Sequence, residues 1–490
     1  PPRSTLFPYT TLFRSTVEVQ SPYQFKSSGF PNQRVTVNPT GKFLSGTYDQ
    51  TISNLDLRDG WVDAIGGNLV LIRHLTVEAA GTGNSYFFGK MTLLYGNDGD
   101  HQFEVRSNAV CWMFADIRED PFTQHLTKTG TGTLLLSGSN TFSGSFTINS
   151  GTVYAGGAQP FGTMAGPTIV NQGGTLAPIS MTAGEPILLA GNGHANEGAL
   201  HISGTNIFTG PVTLAANTII QTDTNAILTL AGAVGGPGGF TKHGPGAMQL
   251  LGSQANTYAG PTLVADGKLE LGKTNVVAVP GPLIIAGPNS ASLVRLLQSE
   301  QIGDNSPVVL QDTGWISLDG QNETIGSLAG LGAVFQSGGQ TGLLTVGGNQ
   351  TSTTFQGTIL GGGGLTKVGN GTFTLTGNNL YTGVTTVTDG TLMVMGEQPQ
   401  SQITLLTGGR LGGSGRVGHI SDLNGHVAPG ASTGILVCSN YSTFTPENLL
   451  EIEINGPTPG SRYDQLQVLS NILLIRSEEH TSELQSRQVI

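Results

Sequence analysis

The chain has 490 residues, of which 74 are Gly, and Asp, Glu, Lys and Arg together supply only 11%. The formal net charge is −11, and Lys and Arg form no clusters, which argues against a nucleic-acid partner because binding to that backbone needs a basic patch. No apolar run approaches the ~18–20 residues of a transmembrane helix, and the low charge is atypical of disordered chains.

The two ends of the chain look foreign to the rest. Residues 1–15, PPRSTLFPYTTLFRS, and residues 476–490, RSEEHTSELQSRQVI, each resemble a translated sequencing adapter. Adapter-derived segments of this kind carry no information about the native fold. We therefore treat residues 16–475 as native and expect them to be a fragment of a longer protein.

One sequence pattern recurs three times, at residues 126–157, 240–273 and 365–396. Each copy contains Lys, then Gly, Asn, an aromatic residue and a second Gly. The aligned residues are Lys128, Gly132, Asn140, Phe142 and Gly144 in the first copy, Lys242, Gly246, Asn256, Tyr258 and Gly260 in the second, and Lys367, Gly371, Asn379, Tyr381 and Gly383 in the third. We interpret them as structural residues that define the repeat. A fourth, diverged copy at 200–214 matches the repeat at Asn206, Phe208 and Gly210.

Short strands separated by turns are predicted inside each copy. In the third copy, residues 372–376 alternate polar and apolar side chains with period two, which is typical of a half-buried strand. The cluster Gly377-Asn378-Asn379 predicts a turn, and residues 385–388 predict the next strand. The same pattern runs along almost all of the native part, so we predict an all-β protein.

The arrangement of these strands favours a β-solenoid over a sandwich or a barrel. The native part is too long for one sandwich, no linker divides it, and similar units recur at variable spacing. Coils of a solenoid contact mainly their neighbours, so coils can be added or lost without disrupting the rest. We predict an elongated solenoid over 16–400 and a C-terminal β module at 401–475 that continues it.

The repeat itself resembles the autotransporter-associated β-strand repeat of bacterial surface proteins. The copy LTKVGNGTFTLTGNNLYTGVTTVTDGTLMVMG at 365–396 matches that pattern at nearly every position, and the second copy departs most, for example at Pro245 and Lys268. The resemblance implies a right-handed parallel β-helix that is secreted or displayed at the cell surface of a Gram-negative-type bacterium. It also implies an outer-membrane translocator or a sorting tag, either of which we expect in a missing C-terminal part. The lack of long apolar runs predicts no membrane insertion by this fragment.

Acidic residues that could take part in catalysis or bind a metal ion are scattered along the chain. Glu451 and Glu453 lie two apart on one predicted strand, near Asp464. We interpret them as part of a solvated strand, and the alternative is a candidate carboxylate pair. The stretch Asn97-Asp98-Gly99-Asp100 is rich in oxygen ligands but lacks the rest of a twelve-residue calcium loop. We interpret it as a turn.

The histidines and cysteines give no clearer signal. His419 and His426 flank a predicted turn without a metal-ligand spacing, and Cys111 and Cys438 are interpreted as buried apolar residues. We therefore predict no catalytic residue, no metal site and no cofactor.

The aligned lysines and aromatics have two interpretations each. We predict that the lysines are exposed, just before a Gly turn, where a charge discourages pairing with foreign strands; the alternative is a row of sites for anionic glycans. We predict that the aromatics lie in the core, and the alternative is a set of sugar platforms.

Three functions follow, of which we favour the first. A non-catalytic structural or adhesin-like passenger predicts a uniformly polar surface. A glycan-binding β-helix predicts exposed aromatics aligned along one face. A polysaccharide-degrading enzyme predicts three or more carboxylates within reach of one another. Glycans or surface polymers are the expected partners, and nucleic acid is not.

Overall fold

The computed structural model of the protein describes residues 10–13, 16–18, 34–94, 99–287, 292–336, 342–422, 424–440, 442–444, 449–470 and 472–474. The chain divides into two compact units, Pro1–Met248 and Gln249–Ile490. The boundary predicted at residue 400 and the foreign origin of residues 1–15 and 476–490 stay predictions.

The first unit consists of short strands joined by tight corners. Its strands are Thr10–Phe13, Thr16–Glu18, Arg34–Val37, Lys42–Leu44, Gln50–Arg58, Trp61–Glu78, Asn84–Leu93, Gly99–Val105, Val110–Met113, Asp116–Glu119, Gln124–Thr129, Thr133–Leu136, Phe146–Ala155, Thr168–Pro178, Thr182–Ala183, Ile187–Gly191, Leu200–Ile202, Thr205–Phe208, Val212–Thr222, Ile227–Leu230, Val234–Gly235 and Phe240–His243. A 3₁₀ turn, His194–Asn196, interrupts this series, and the strand Ala247–Gly252 includes residues of both units.

The second unit is built in the same way. Its strands are Thr262–Val264, Lys268–Lys273, Leu283–Ala286, Leu293–Leu296, Pro307–Gln311, Trp315–Ser317, Glu323–Ile325, Ser327–Gly330, Ala333–Gln336, Leu343–Val346, Thr353–Phe355, Thr358–Gly361, Gly364–Lys367, Thr372–Leu375, Thr385–Val387, Gly390–Val394, Glu397–Gln398, Ile403–Leu405, Gly409–Gly413, Arg416–Val417, Ile420–Asp422, His426–Pro429, Ile435–Cys438, Ser442–Phe444, Leu449–Leu450, Gln465–Val468 and Ile472–Leu474.

Strands of successive coils pair in parallel, which confirms the predicted β-solenoid. In the first unit Leu126 lies opposite Phe146, and Phe146 lies opposite Thr168, so these coils are offset by 20 and 22 residues. In the second unit Leu365 pairs with Thr385, and Thr385 pairs with Ile403. The backbone N–H and C=O groups of the strands in each coil therefore form hydrogen bonds with the coils before and after it.

The core of each unit lies inside the coils, where alternate residues of every strand point inward. In the strand Thr372–Leu375, Phe373 and Leu375 are buried, while Thr372 and Thr374, which alternate with them, are half-buried on the outer side. Burying a large apolar side chain contributes about 1.5–3 kcal/mol. The period-two pattern read from the sequence is thus the pattern that builds the core.

The glycines of the Lys-x-Gly-x-Gly corner serve two separate purposes. The first of them, Gly369 in the third copy, has φ +71°, a conformation that L side chains rarely adopt. The second, Gly371, is needed for space, because a Cβ on this residue would lie 2.3 Å from the carbonyl oxygen of Thr351 in the preceding coil. The corner therefore packs backbone directly against backbone.

A matched pair of glycine substitutions tests this packing. We expect Gly371→Ala to lower the free energy of unfolding by about 1–3 kcal/mol, as overpacking does. Gly362→Ala is the control, since a Cβ there would meet no atom within 4 Å, and we expect it to be neutral or to stabilise the chain by up to about 1 kcal/mol. Urea denaturation followed by circular dichroism measures both, and equal effects would contradict the account.

Candidate functional site

The aligned lysines are buried, so the prediction that they are exposed was wrong. Lys128 and Lys242 are 0% exposed, and Lys367 is 1% exposed. In the strand Gly364–Lys367 the buried residues are Leu365 and Lys367, which are two apart and so lie on the same inward side. The alternation that correctly placed the apolar residues therefore also placed the lysine inside the coil.

Each lysine donates hydrogen bonds to backbone carbonyl oxygens at the corner that follows it. The Nζ of Lys367 donates to the oxygens of Val368 (2.8 Å), Gly369 (2.6 Å) and Asp389 (3.1 Å). We call a lysine ammonium with its carbonyl acceptors a lysine cage. Because an ammonium has three N–H donors, this cage uses all of them. Asp389 lies 22 residues further along the chain, so the cage fastens one coil to the next.

The first copy repeats this geometry, and the second copy has the same two bonds to the residues that follow its lysine. The Nζ of Lys128 donates to Thr129 (3.0 Å), Gly130 (2.7 Å) and Ser150 (3.0 Å). In the second copy the Nζ of Lys242 donates to the carbonyl oxygens of the two residues that follow it, at 3.4 and 2.5 Å. The sequence pattern therefore encodes one recurring three-dimensional arrangement.

Burial sets the electrostatics of these cages. It lowers the pKa of both Lys128 and Lys367 from the usual 10.5 to about 8. The carbonyl oxygens oppose that shift, since acceptors aimed at an ammonium stabilise its charged form. Both lysines are therefore still protonated at neutral pH, and the ammonium keeps the full set of donors that the cage requires.

The aligned asparagines connect coils through their side-chain amides. Asn140 accepts a hydrogen bond from the backbone N–H of Ile117 (2.9 Å) and donates one to the carbonyl oxygen of Pro160 (2.6 Å). Asn379 accepts one from Ile359 N–H at 3.0 Å. In the second copy the amide of Asn256 donates to a carbonyl oxygen of the next coil at 2.7 Å. These buried amides satisfy backbone groups that the strand ladders leave open.

The diverged fourth copy, at 200–214, also has this asparagine. Asn206 is fully buried, accepts a hydrogen bond from Met181 N–H (3.0 Å) and donates one to Ser203 O (3.0 Å). The asparagine position thus preserves its role even where the lysine has been lost.

The aligned aromatics lie in the core. Phe142, Tyr258 and Tyr381 are at most 1% exposed. The tyrosine hydroxyls bond to the hydroxyl of the residue four positions on: Tyr258 to Thr262 at 2.5 Å and Tyr381 to Thr385 at 2.6 Å. The first copy has Phe146 at that position, and its ring packs edge-on against Phe142. The aromatic position and the position four residues later therefore change together: a tyrosine is paired with a threonine, and the phenylalanine is paired with a second phenylalanine.

The glycine that follows the aromatic residue lies against the preceding coil. A Cβ on Gly144 would be 2.3 Å from the carbonyl oxygen of Gln124, and one on Gly383 would be 2.2 Å from that of Gly363. Gly260, in the second copy, is half-buried. In the first and third copies this position therefore requires glycine, because any side chain would collide with the preceding coil.

The candidate carboxylates meet at one small cavity of about 50 Å³, but each has a partner. Asp464 is 3% exposed and accepts the backbone N–H groups of Gly434 (2.8 Å) and Glu453 (2.9 Å). Glu451 forms an ion pair with Arg410 at 2.7 Å. Glu451 and Glu453 are exposed, as expected of a solvated segment. Asp464 is buried, and its carboxylate stabilises the backbone of the C-terminal region.

The other proposed ligand groups gain no support. Residues 97 and 98 of the candidate calcium stretch lie outside the described residues. In the part of the chain that the structure describes, which includes His419 and His426, no group of three or more His, Cys, Asp or Glu could hold a metal ion. Within the same residues, no helix has the length and apolar character needed to cross a membrane. Cys111 and Cys438 are both buried.

A second buried polar array, in the second unit, was not foreseen. Gln301 accepts the backbone N–H of Lys273 (2.8 Å), and the Glu323 carboxylate accepts those of Gln301 (2.8 Å) and Ile302 (2.9 Å). Burial raises the pKa of Glu323 to about 8, and the two N–H donors oppose that shift. Here too a buried side chain satisfies the backbone between coils.

An outward-facing aromatic cluster in the first unit was also missed. It consists of Trp61, Tyr86, Phe88, Trp112 and Phe114, which we call the aromatic face. Trp61 pairs in register with Tyr86, and Tyr86 pairs with Trp112, so these rings form a column across three coils. Ring centroids lie 4.8 Å apart for Trp61 and Phe88, and 4.9 Å apart for Phe88 and Phe114. The uniformly polar surface expected of a passenger is therefore not found here.

The rings stack on one another rather than lying flat on the surface. Phe88 lies between Trp61 and Phe114, with interplanar angles of 25° and 18°, so both of its faces are covered. Such pairs contribute about 0.5–1.5 kcal/mol beyond their buried area. The sequence held a signal for this cluster, because Tyr86 and Phe88, like Trp112 and Phe114, are two residues apart and so point to the same side of an extended chain.

Comparison with known proteins identifies the repeat. The model of the passenger-associated-transport-repeat matches residues 126–155, 240–271 and 365–394, which are the three copies described above. The chain is also 31% identical, over 263 residues, to a protein named Adhesin BmaC autotransporter from Brucella suis biovar 1 (strain 1330). That alignment covers 53% of this chain and 7% of the relative, so the chain spans only a small part of that protein. No solved structure matches.

The lysine cage can be tested by removing the ammonium while keeping the length of the side chain. We expect Lys367→Met to leave the carbonyl oxygens of Val368, Gly369 and Asp389 buried without this donor, at a cost of about 2–3 kcal/mol. Hydrogen–deuterium exchange read by mass spectrometry should show faster exchange in residues 365–394.

Lys90→Met is the matched control for this substitution, because Lys90 is exposed. We expect it to leave exchange unchanged, as substitutions on an open surface usually do. Equal effects of the two substitutions would contradict the lysine cage.

Proposed function

We propose that this chain, which carries three passenger-associated-transport repeats, is part of a non-catalytic, adhesin-like passenger of an autotransporter-type system. In this proposal the chain is displayed on the surface of a Gram-negative bacterium or released from it. The recurrence of one buried corner in the matched repeats carries the proposal, because it assigns the motif a mechanical role.

The use of the chain's polar side chains supports a mechanical role. The residues that recur, Lys367, Asn379 and Tyr381 in the third copy, bind backbone groups or a neighbouring hydroxyl inside the coils. Asp464, one of the candidate catalytic carboxylates, is occupied by two backbone N–H groups. Side chains engaged in this way hold coils together and are not free to act as acids, bases or nucleophiles.

The partners of the whole protein belong to the same proposal. The relative is named an adhesin and an autotransporter, and this chain spans 7% of it. We infer that a translocator accompanies the passenger in the full-length protein. Adhesion then needs a contact surface on the outside of the coils, and the aromatic face is the most distinctive outward surface of the first unit.

Surface display of the whole chain tests this function. The 490-residue chain is fused to a heterologous autotransporter translocator in a non-adherent Gram-negative host. Display is verified by digestion of the chain with protease added to intact cells. We expect displaying cells to adhere to epithelial monolayers in greater number than cells that carry the translocator alone. A displayed chain that gives no gain in adherence, or that depolymerises a polysaccharide, would overturn the proposal.

A further inference from the structure

A groove of about 350 Å³ lies beside the aromatic face, where three successive corners of the first unit meet. Residues 39–42, 59–61 and 81–86 contribute to its walls. The side chains that carry the inference are Lys42, Asp59, Trp61 and Tyr86. This volume falls in the range of clefts that hold small molecules, about 300–1,000 Å³, and is too small for a protein surface.

Trp61 gives the groove an aromatic wall. One side of its ring packs on Phe88 and Tyr86, at centroid distances of 4.8 and 5.4 Å. In the strand register Trp61 lies between Tyr86 and Lys42, so its other side is turned toward Lys42 and the groove. The Lys42 Nζ is 5.1 Å from the ring centroid. Trp61 therefore ends the stack, with one face directed away from the other rings.

That ring face attracts groups with partial positive charge. An ammonium over an aromatic face is held by the negative potential of the ring. The C–H groups on the flat side of a pyranose ring carry partial positive charge and interact with the same potential. Lys42 covers this face of Trp61 in the structure. Because Lys42 is exposed, its flexible side chain can move aside, and a sugar ring can then pack on the same face.

Asp59 supplies a polar group to the lining of the groove. Its Oδ1 accepts the backbone N–H of Ala80 at 3.2 Å, which holds the carboxylate in place. Its Oδ2 lies beside Gly81, another lining residue, since a Cβ placed on Gly81 would be 3.1 Å from it. Gly81 has no side chain, so this oxygen is reached from the groove. A carboxylate oxygen in this position accepts hydrogen bonds from hydroxyl groups.

The charges of the groove select among ligands. Lys42 and Asp59 provide one cation and one anion, so the lining has no net charge. A neutral, hydroxyl-rich ligand can donate to Asp59 and accept from Lys42, so it satisfies both charges at once, whereas the carboxylate of an anionic sugar can pair only with Lys42.

We propose that this groove is a binding site for the end of a neutral pyranose chain, with one sugar ring packed on Trp61 and its hydroxyls bound by Asp59 and Lys42. The proposal rests on the adhesin-like function above and names the chemical class of one of its targets. It assigns binding to the groove, to which the aromatic face contributes Trp61 and Tyr86, and leaves the stacked rings of Phe88, Trp112 and Phe114 with a structural role.

Calorimetric titration of the whole chain tests the site. The probes are cellohexaose, chitohexaose, maltohexaose and mannohexaose, with hexagalacturonate as the anionic probe. We expect saturable binding of at least one neutral probe, accompanied by a change in tryptophan fluorescence. Trp61→Ala should weaken that binding by about tenfold or more, because it removes the stacking surface.

Two further variants separate loss of the site from loss of the fold. Asp59→Asn should also weaken binding while keeping the fold, because Asn accepts the backbone conformation of Asp59, φ +49°, and can keep the bond to Ala80. Trp315→Ala is the matched control, since Trp315 is a 41% exposed tryptophan in the second unit, and it should bind as the unaltered chain does. Circular dichroism verifies the fold of each variant.

Three results would overturn the proposal: no binding of any neutral probe, binding of hexagalacturonate alone, or unaltered binding by both Trp61→Ala and Asp59→Asn. Adherence of the displayed chain separates this failure from failure of the proposed function. Adherence without sugar binding rejects the groove and keeps the adhesin-like function. Sugar binding without adherence supports the groove and rejects that function.

Discussion

The lysine cage is the interaction on which the repeated corner depends. A tight corner turns backbone carbonyl oxygens away from the strand ladders, and buried oxygens without a donor are costly. Lys128 and Lys367 place an ammonium among three such oxygens, one of them from the next coil. The flanking glycines follow from the same requirement, because the chain must turn through a positive φ at Gly369 and pack closely at Gly371.

The sequence alone predicted much of the fold but misjudged two features. Period-two alternation correctly predicted the strands, and the resemblance to the repeat family correctly implied that they pair in parallel. The aligned aromatics, such as Tyr381, were also correctly expected in the core. The burial of Lys367 was missed because the usual exposure of lysine was given more weight than its spacing from Leu365. The aromatic face was missed for a different reason. Trp61 and Tyr86 become neighbours only through the register between coils, which corner lengths determine and local pattern does not.

The residues inside the coils determine the fold, whereas the residues outside the coils are available for binding. The motif that recurs fixes the interior, where Asn140, Asn256 and Asn379 each bond to backbone in an adjacent coil or corner. Outward positions are free of these demands, so a solenoid can change its surface without changing its core. In the first unit that freedom produced the aromatic face and the groove beside it. Binding specificity in such a protein is therefore sought on the outside of the coils, apart from the repeat.

Lysine reactivity tests the buried ammonium most directly. The folded chain is treated briefly with an amine-acylating reagent near neutral pH, and modification at each lysine is quantified by mass spectrometry. The account predicts that Lys128, Lys242 and Lys367 react on the order of tenfold or more slowly than the exposed Lys90, because the coil must open before the reagent reaches them. Reaction of all four lysines at the same rate in the folded chain would contradict it.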